Sequence, residues 1–135
     1  MGIRRKARVL AFQTIYSWDI NNDSIEELLA FNWKKEDINE EVANFARLLV
    51  AGTVEKLKEI DSVINKNIRN WDFDRLAKVD LAILRTSVFE MNYQEDVPVG
   101  VTINEAVEIA KSFGTDDSYK FINGVLDNIR RTQTK

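Results

Sequence analysis

The fold of this protein is decided by residues 74–93, which read DRLAKVDLAILRTSVFEMNY and contain neither glycine nor proline. At helical spacing this segment carries two apolar stripes: Leu76, Val79, Ile83 and Ser87 form one, and Leu81, Leu84, Val88 and Met91 form the other. A helix that is apolar around most of its circumference must be buried. This one is too short and too charged to span a bilayer. The segment therefore predicts the central helix of a helical bundle.

The composition indicates a binding protein and gives no support for an enzyme. The 135 residues are enough for one domain with a sizeable core. The chain has no cysteine and no histidine, which excludes disulfides, thiolate metal sites and the commonest general base. The five glycines are scattered and form no phosphate-binding loop. We expect no catalysis and no cofactor, and a cytoplasmic location because no apolar signal segment follows the N-terminus.

Charge is distributed unevenly along the chain. The whole protein carries −3, but residues 1–8 carry +4 from Arg4, Arg5, Lys6 and Arg8, so the other 127 residues carry −7. A basic N-terminal arm on an acidic body predicts an anionic ligand near one end and a basic partner elsewhere. We expect an arm this charged to be mobile in the free protein.

Hydrophobic periodicity predicts six or seven helices and no strand. The first helix is expected from about Ile3 to Ile20, and a short second helix from a cap at Ser24 to about Trp33. A third, opened by Asp37 and Glu40, is expected to run to about Ile68, with Gly52 marking either close helix packing or a break.

The second half of the chain continues this pattern. Asp72 or Asp74 is expected to cap the central helix, and Trp71 and Phe73 to close the end of the bundle. Residues 97–103 are expected to be loop, and a Thr102–Glu105 capping box to open the next helix. That helix is expected to end at a left-handed Gly114. The last helix is expected to start at residues 115–117, to pack closely at Gly124 and to end in a frayed tail after Arg130.

Two surfaces have a composition suited to RNA. Arg5, Arg8, Phe12 and Tyr16 follow one another along one face of the first helix, which offers cations to phosphates and rings to bases. The alternative is that Phe12 and Tyr16 only widen the apolar core. The second surface is residues 111–123, KSFGTDDSYKFIN, where Phe113, Lys120 and Asn123 are the candidate contacts. The alternative there is ordinary capping and packing.

An acidic cluster of Asp72, Asp74 and Asp80 precedes and opens the central helix. Acidic side chains are favoured there by the helix dipole, and they are also able to receive a basic partner. Spacing alone leaves both interpretations open, with the helix-dipole interpretation favoured.

Three blocks of the sequence together resemble the bacterial NusB family of transcription antitermination proteins. The blocks are RRKARVLAFQTIYSWD, NWDFDRLAKVDLAILRTSVFEM and VPVGVTINEAVEIAKSFGTDDSYKFINGVLDNI. The resemblance implies an all-α fold of two packed helical subdomains, here residues 9–70 and 71–131 between the arm 1–8 and a tail 132–135. It also implies a non-enzymatic protein that binds boxA RNA of ribosomal RNA operons with NusE, a small-subunit ribosomal protein, and joins the antitermination complex on RNA polymerase.

The resemblance also implies which residues of this chain act. On the RNA side these are Arg4, Arg5, Lys6, Arg8, Phe113, Asp117, Lys120 and Asn123. On the NusE side these are Tyr16, Asp74 and Asp80. An acidic side chain on an RNA-binding surface repels phosphates but accepts hydrogen bonds from base amino groups. We therefore expect Asp117 to lower the affinity for RNA in general and to raise the selectivity for sequence.

Two alternatives remain. A module of the same fold is fused to ribosomal RNA cytosine methyltransferases; it requires a downstream catalytic domain, which we do not expect because the sequence ends at Lys135. The other is a helical protein–protein interaction module, or a homodimer, without specific RNA binding. No membrane partner is expected.

Overall fold

The structure is a computed structural model that describes residues 2–34, 36–69 and 72–133. Within these residues it contains seven α-helices, one short 3₁₀ helix at Phe73–Arg75 and no strand, which confirms the all-α expectation. The helices are α1 (Ile3–Asn21), α2 (Ile25–Leu29), α3 (Glu40–Glu55), α4 (Leu57–Lys66), α5 (Lys78–Tyr93), α6 (Val99–Phe113) and α7 (Ser118–Gln133). Within the described residues, no helix is long and apolar enough to cross a membrane.

Helix α5 lies at the centre of the bundle, as its sequence predicts. Eleven of its sixteen residues are buried, and it contacts α1, α3, α4, α6 and α7. On one side α1 packs on α3, and on the other α6 packs on α7. The two helical subdomains therefore share α5 as their common core.

A close approach of two helices is made possible by Gly52 in α3. A Cβ atom at this position would lie 2.0 Å from Cζ of Phe89 in α5, which is far inside van der Waals contact. The missing side chain lets the Phe89 ring pack against the α3 backbone. Of the two interpretations of Gly52, close packing is the correct one.

The long third helix is in fact two helices. The break falls at Lys56, whose φ of −101° and ψ of 17° lie outside helical geometry, so α3 and α4 meet there and not at Gly52. The start of α3 also differs from expectation. Asn39, and not Asp37, is the cap, because its Oδ1 accepts from the backbone N–H of Glu41 at 2.8 Å. Ser24 is confirmed as the cap of α2, but that helix ends at Leu29.

The central helix starts later than predicted. Asp72 caps the 3₁₀ helix by accepting from the N–H of Asp74 at 3.1 Å, whereas α5 begins at Lys78 with no side-chain cap. Phe73 is half-buried and packs against the core. The expectation for Trp71 lies outside the described residues.

Helix α6 begins at Val99, directly after Pro98, so the predicted loop 97–103 and the Thr102 capping box are wrong. Thr102 instead points into the core. Gly114 has a φ of −94°, which is not left-handed. Its small size matters for another reason, since a Cβ there would lie 2.5 Å from Cβ of Ser118.

Helix α1 begins at Ile3, as predicted, and includes all four arm cations. Two further expectations are corrected. Gly124 makes no close contact, because a Cβ there would meet nothing within 4 Å. Helix α7 continues to Gln133, past the predicted fraying at Arg130.

Candidate nucleic-acid interface

The two stretches with RNA-like composition meet at a pair of aromatic rings. Phe12 of α1 and Phe113 at the end of α6 pack edge to face, with ring centroids 5.3 Å apart. Phe12 is only 3% exposed, so it belongs to the core, whereas Phe113 is 41% exposed. This contact and the Arg5–Glu105 pair hold α1 against α6. We call the exposed residues at the start of α1 and at the α6–α7 junction the cationic face.

Two of the four arm cations are exposed at the start of α1. Arg4 and Lys6 are both exposed on the first turn of α1. The guanidinium carbon of Arg4 lies 4.1 Å from the centroid of the Phe45 ring of α3, a cation–π contact that orients the side chain. Both cations remain able to meet a phosphate.

Arg5 is held by a carboxylate of α6. Its Nε donates to Glu105 Oε1 at 2.9 Å and its Nη2 donates to Oε2 at 2.6 Å, which makes a bidentate pair. The hydrogen bonds from Arg5 hold the pKa of Glu105 below its usual value. Arg5 stays 38% exposed, so the pair lies at the surface of the cationic face.

Arg8 is buried, contrary to the expectation that it faces RNA. Its Nε and Nη2 donate to the carboxylate of Glu90 in α5, at 2.9 Å to Oε1 and 2.6 Å to Oε2. Thr102 Oγ1 of α6 donates to the same carboxylate at 3.2 Å. Arg8 Nη1 also lies 3.5 Å from Oε1 of Glu105. Arg8 thus joins α1, α5 and α6 and anchors the cations beside it.

The start of α7 supplies the rest of the cationic face. Asp117, Lys120 and Asn123 are all exposed. Since they recur every three residues, they lie along one side of the helix and its first turn. Nζ of Lys120 is 5.9 Å from the centroid of the Tyr119 ring. The structure thus brings Arg5 to α6 and Phe113 to α1, and it leaves Arg8 inside. Asp117, Lys120 and Asn123 lie at the start of α7, whereas Arg4 and Lys6 lie on the side of α1 that faces α3.

The predicted partner side has a groove at the start of the central helix. Asp74 is exposed and lines this groove of 540 Å³, together with Asp72 and Asp61 and with Lys58 of α4. We call it the acidic groove. Tyr16 is half-buried against the core.

Helix α1 reaches the same end of the molecule as the acidic groove. One turn beyond Tyr16, a carboxylate oxygen of Asp19 lies 3.6 Å from Nζ of Lys78, the first residue of α5. The end of α1 is therefore tied to the start of the central helix, where the partner side is predicted.

Asp80 is not exposed beside Asp74, contrary to expectation. It is 8% exposed and its Oδ1 has no hydrogen-bond partner in the described part of the chain. Burial raises the pKa of Asp80, an effect that the neighbouring Ser118 hydroxyl of α7 offsets in part. Asp80 therefore belongs to the contact between α5 and α7.

Sequence reasoning missed the two glutamates that organise the arginines. Spacing places Glu105 in a capping box and Glu90 within an apolar helix, and neither pattern indicates a partner. A signal is nevertheless present in residues 81–91, where Arg85 and Glu90 are the only charged residues. A charge in a buried helix needs a partner, so both positions indicate an ion pair with another helix.

Comparison with known proteins assigns the chain to a family. The model of the NusB family matches residues 5–131. A transcription antitermination protein NusB from Treponema denticola is 48% identical over 94% of this chain and 95% of its own length. One from Bacillus cereus is 45% identical over 96% of this chain and 98% of its own length.

Solved structures agree with this assignment. The structure of T. maritima NusB superposes with a TM-score of 0.86 at 34% identity, covering 95% of this chain and 90% of that one. A structure of antitermination factors NusB and NusE in complex with dsRNA gives a TM-score of 0.87 at 31% identity, covering 98% of each chain. From its sequence and its fold alike, this chain belongs to the NusB family.

Proposed function

We propose that this protein is a transcription antitermination factor that binds boxA RNA of ribosomal RNA operons together with NusE, and that it helps to assemble the antitermination complex on RNA polymerase in the bacterial cytoplasm. Its role is binding and not catalysis. The observation that carries the proposal is the Phe12–Phe113 contact, because it packs the helix that carries the basic arm against the α6–α7 junction.

The side chains of the cationic face suit single-stranded RNA. Arg4, Lys6 and Lys120 offer charge to phosphates, and the exposed ring of Phe113 offers a surface on which a base stacks. Asn123 and Asp117 supply hydrogen-bonding groups for base edges. In this role the acid at Asp117 selects bases and weakens general attraction to the backbone.

The same geometry predicts modest affinity for RNA alone. Arg8 is buried on Glu90, and Arg5 is neutralised by Glu105. The face therefore presents fewer free cations than the sequence suggests, and affinity for RNA depends on the number of phosphates neutralised. A second RNA-binding subunit is needed for tight binding, which is the part that NusE takes in this proposal.

The acidic groove, lined by Asp61, Asp72 and Asp74, is the proposed docking site for NusE. Its carboxylates suit a basic protein, and Tyr16 lies on α1 one turn before Asp19, which contacts the start of α5. Asp80 is buried, so its part in docking is to hold α5 against α7 and not to touch NusE.

The proposal is tested by titrating labelled boxA RNA, a scrambled RNA and a duplex RNA at several salt concentrations, with and without purified NusE. We expect selective boxA binding that strengthens when NusE is added. Equal, steeply salt-dependent binding to all three RNAs would refute the proposal and favour a protein–protein interaction module. Light scattering on the same samples separates a monomer from a homodimer.

The selectivity assigned to Asp117 has its own test. Replacing it in Asp117→Asn removes a negative charge that repels phosphates while the side chain keeps its size. We expect binding to scrambled RNA to rise more than binding to boxA RNA. Selectivity that is unchanged in this variant would show that Asp117 does not read bases.

A further inference from the structure

A basic groove lies on the C-terminal half of the molecule, and Lys120 is the one lining residue that has already been assigned to a site. It runs between the end of α4 and one side of α7 and has a volume of 310 Å³. Its lining comprises Asn67, Ile68, Arg69, Lys120, Phe121, Gly124, Val125, Asn128 and Arg131. We call it the α4–α7 groove.

The α4–α7 groove is built from a rigid floor. Ile68 and Val125 are buried beneath it, 6% and 4% exposed. Asn128 of α7 donates from Nδ2 to Oδ1 of Asn67 at 2.8 Å, which ties the two walls together. Each wall therefore holds its position without a ligand, and the groove exists in the free protein.

Gly124 keeps this groove open. It lies inside α7, where glycine lowers helix stability, yet a Cβ at this position would meet nothing within 4 Å. No packing contact in the described chain explains the glycine. Any side chain here would occupy the groove, so the absence of one leaves room for a ligand that follows α7.

The charge of the groove points to an anionic ligand. Arg69, Lys120 and Arg131 line it, and none of the described lining residues is a carboxylate. Arg131 pairs with Asp127 at 2.9 Å but is 70% exposed, and an exposed pair of this kind is weak enough to exchange for a phosphate. The groove is a local exception on an acidic body.

The groove also continues the cationic face. Lys120 belongs to both, and Asn123 of the cationic face is the neighbour of Gly124. From Lys120 to Arg131 the helix advances about 16 Å at 1.5 Å per residue. An RNA strand bound at Lys120 is therefore able to continue along α7 toward Arg131.

From these observations we propose that the α4–α7 groove binds the sugar–phosphate backbone of RNA flanking the boxA element; this proposal rests on the proposed function. Arg69 and Arg131 contact phosphates in this arrangement, and the open position at Gly124 admits the chain between them. The site adds affinity without reading sequence, because arginine contacts to phosphate carry no base information.

The test compares a boxA RNA with the same RNA extended by an unrelated single-stranded segment at its 5′ end, its 3′ end or both, in the presence of NusE. Four variants are measured beside the wild type. The double variant Arg69→Ala/Arg131→Ala removes the charge, and Gly124→Gln fills the groove. Of the two controls, Arg47→Ala/Lys56→Ala removes two cations that line neither this groove nor the acidic groove, and Gly100→Gln changes another helical glycine whose Cβ position is open.

For the wild type and both controls, we expect one of the extensions to raise affinity several-fold. Both groove variants should fail to show this gain while binding the unextended boxA RNA as the wild type does. On the extended RNA the salt slope of the arginine variant should fall by about 1.4, because each phosphate of a single strand that is no longer neutralised lowers the slope by about 0.7.

Equal gains in the wild type and the groove variants would overturn the groove proposal and leave the proposed function intact. Failure of the proposed function looks different, since wild-type protein would then not prefer unextended boxA RNA to its scrambled control. Loss of binding to an acidic peptide such as hexaglutamate, with no change on extended RNA, would assign the groove to a protein partner and also overturn the proposal. If Gly124→Gln fails to fold, the arginine variant alone decides the question.

Discussion

Helix α5 carries three buried charged residues, Asp80, Arg85 and Glu90, and the contrast between the two that form ion pairs separates the two ends of the molecule. The first is Glu90, whose carboxylate accepts hydrogen bonds from Arg8 and from Thr102. The second is Arg85, whose Nε and Nη2 each donate to Asp61 at 2.9 Å. Glu90 lies on the side of the cationic face, and Arg85 on the side of the acidic groove.

The two charges differ in how completely they are satisfied. Glu90 is 1% exposed and both of its oxygens have donors. Nη1 of Arg85 is buried without a hydrogen bond in the described structure, although Asp19 lies 3.5 Å away. Asp61 and Asp19 are themselves partly exposed, at 26% and 23%. The carboxylate of Glu90 is therefore fully hydrogen-bonded, whereas Nη1 of Arg85 has no hydrogen bond within the described residues and lies on the side of the acidic groove.

The buried charge of α5 has complete hydrogen bonds at the end where RNA is proposed to bind, and incomplete ones at the end where a partner is proposed to dock. A buried charge stabilises a fold only when its hydrogen bonds are complete. The Glu90 end meets this condition, and the Arg85 end meets it only in part. Substitutions at the two ends should therefore have different costs.

The largest effect is expected from Glu90→Gln. The variant keeps the size of the side chain but leaves Arg8 buried without a counter-charge, which should lower the free energy of unfolding by about 3–5 kcal/mol. Urea denaturation measures the loss. Replacing both partners, in Arg8→Met/Glu90→Leu, should recover most of it. A loss below about 1 kcal/mol for Glu90→Gln would show that the pair is not locked.

A smaller loss is expected at the other end from Asp61→Asn. Arg85 keeps Asp19 nearby and Asp61 is partly exposed, so the free energy of unfolding should fall by about 1.5–2 kcal/mol, at the lower end of the range for hydrogen bonds to charged groups. The same denaturation experiment compares the two variants directly. If Asp61→Asn costs as much as Glu90→Gln, the contrast between the two ends is wrong.

The smallest stability effect is expected from Glu105→Gln, because the Arg5–Glu105 pair is partly exposed and exposed ion pairs contribute little to stability. The pKa of Glu105 is lowered in the folded protein, so the pair stabilises the fold at pH values above the unfolded pKa near 4.5. This contribution is lost as pH falls through the lowered folded-state pKa. Wild type and variant should therefore differ at pH 7 and converge in acid; a difference that persists in acid would have another cause.

The same substitution should change RNA binding more than stability. Glu105→Gln releases Arg5 toward solvent, so affinity for RNA should rise and the salt slope should steepen by about 0.7. The control is Glu55→Gln, an exposed acid of α3, which removes the same charge without contacting Arg5. Equal effects of the two variants would mean that only net charge matters.

The core of this fold was predictable from sequence, whereas several helix ends were not. The two stripes of residues 74–93 are buried as their spacing predicts, except that Val79 and Met91 are partly buried against the core. The start of α3 was missed because Asp37 and Asn39 are both able to cap it, and Asn39 is the one that does. The starts of α5 at Lys78 and of α6 at Val99 were missed because no side chain caps either helix. A hydrophobic stripe is a pattern formed by many residues, whereas the position of a helix end depends on a single residue.

The sequence predicted the exposed residues of the candidate site, but it did not predict which of its charged residues are buried. Arg4, Lys6, Phe113 and Lys120 are exposed, as an RNA surface requires. Arg8 was misplaced because its partner Glu90 is 82 residues away in the chain, and no local pattern shows such a pairing. Asp80 was misplaced for the same reason, since it is covered by α7. Helical spacing gives the direction of a side chain but not what packs over it.

The unbroken helix α1 has a mechanical consequence. It carries Arg4 and Lys6 at one end and Asp19 at the other, and its 19 residues span about 28 Å at 1.5 Å per residue. Helix α1 packs on both α3 and α5. In the proposed arrangement, its length sets the distance between the RNA phosphate at its start and the protein subunit at its end before either of them binds.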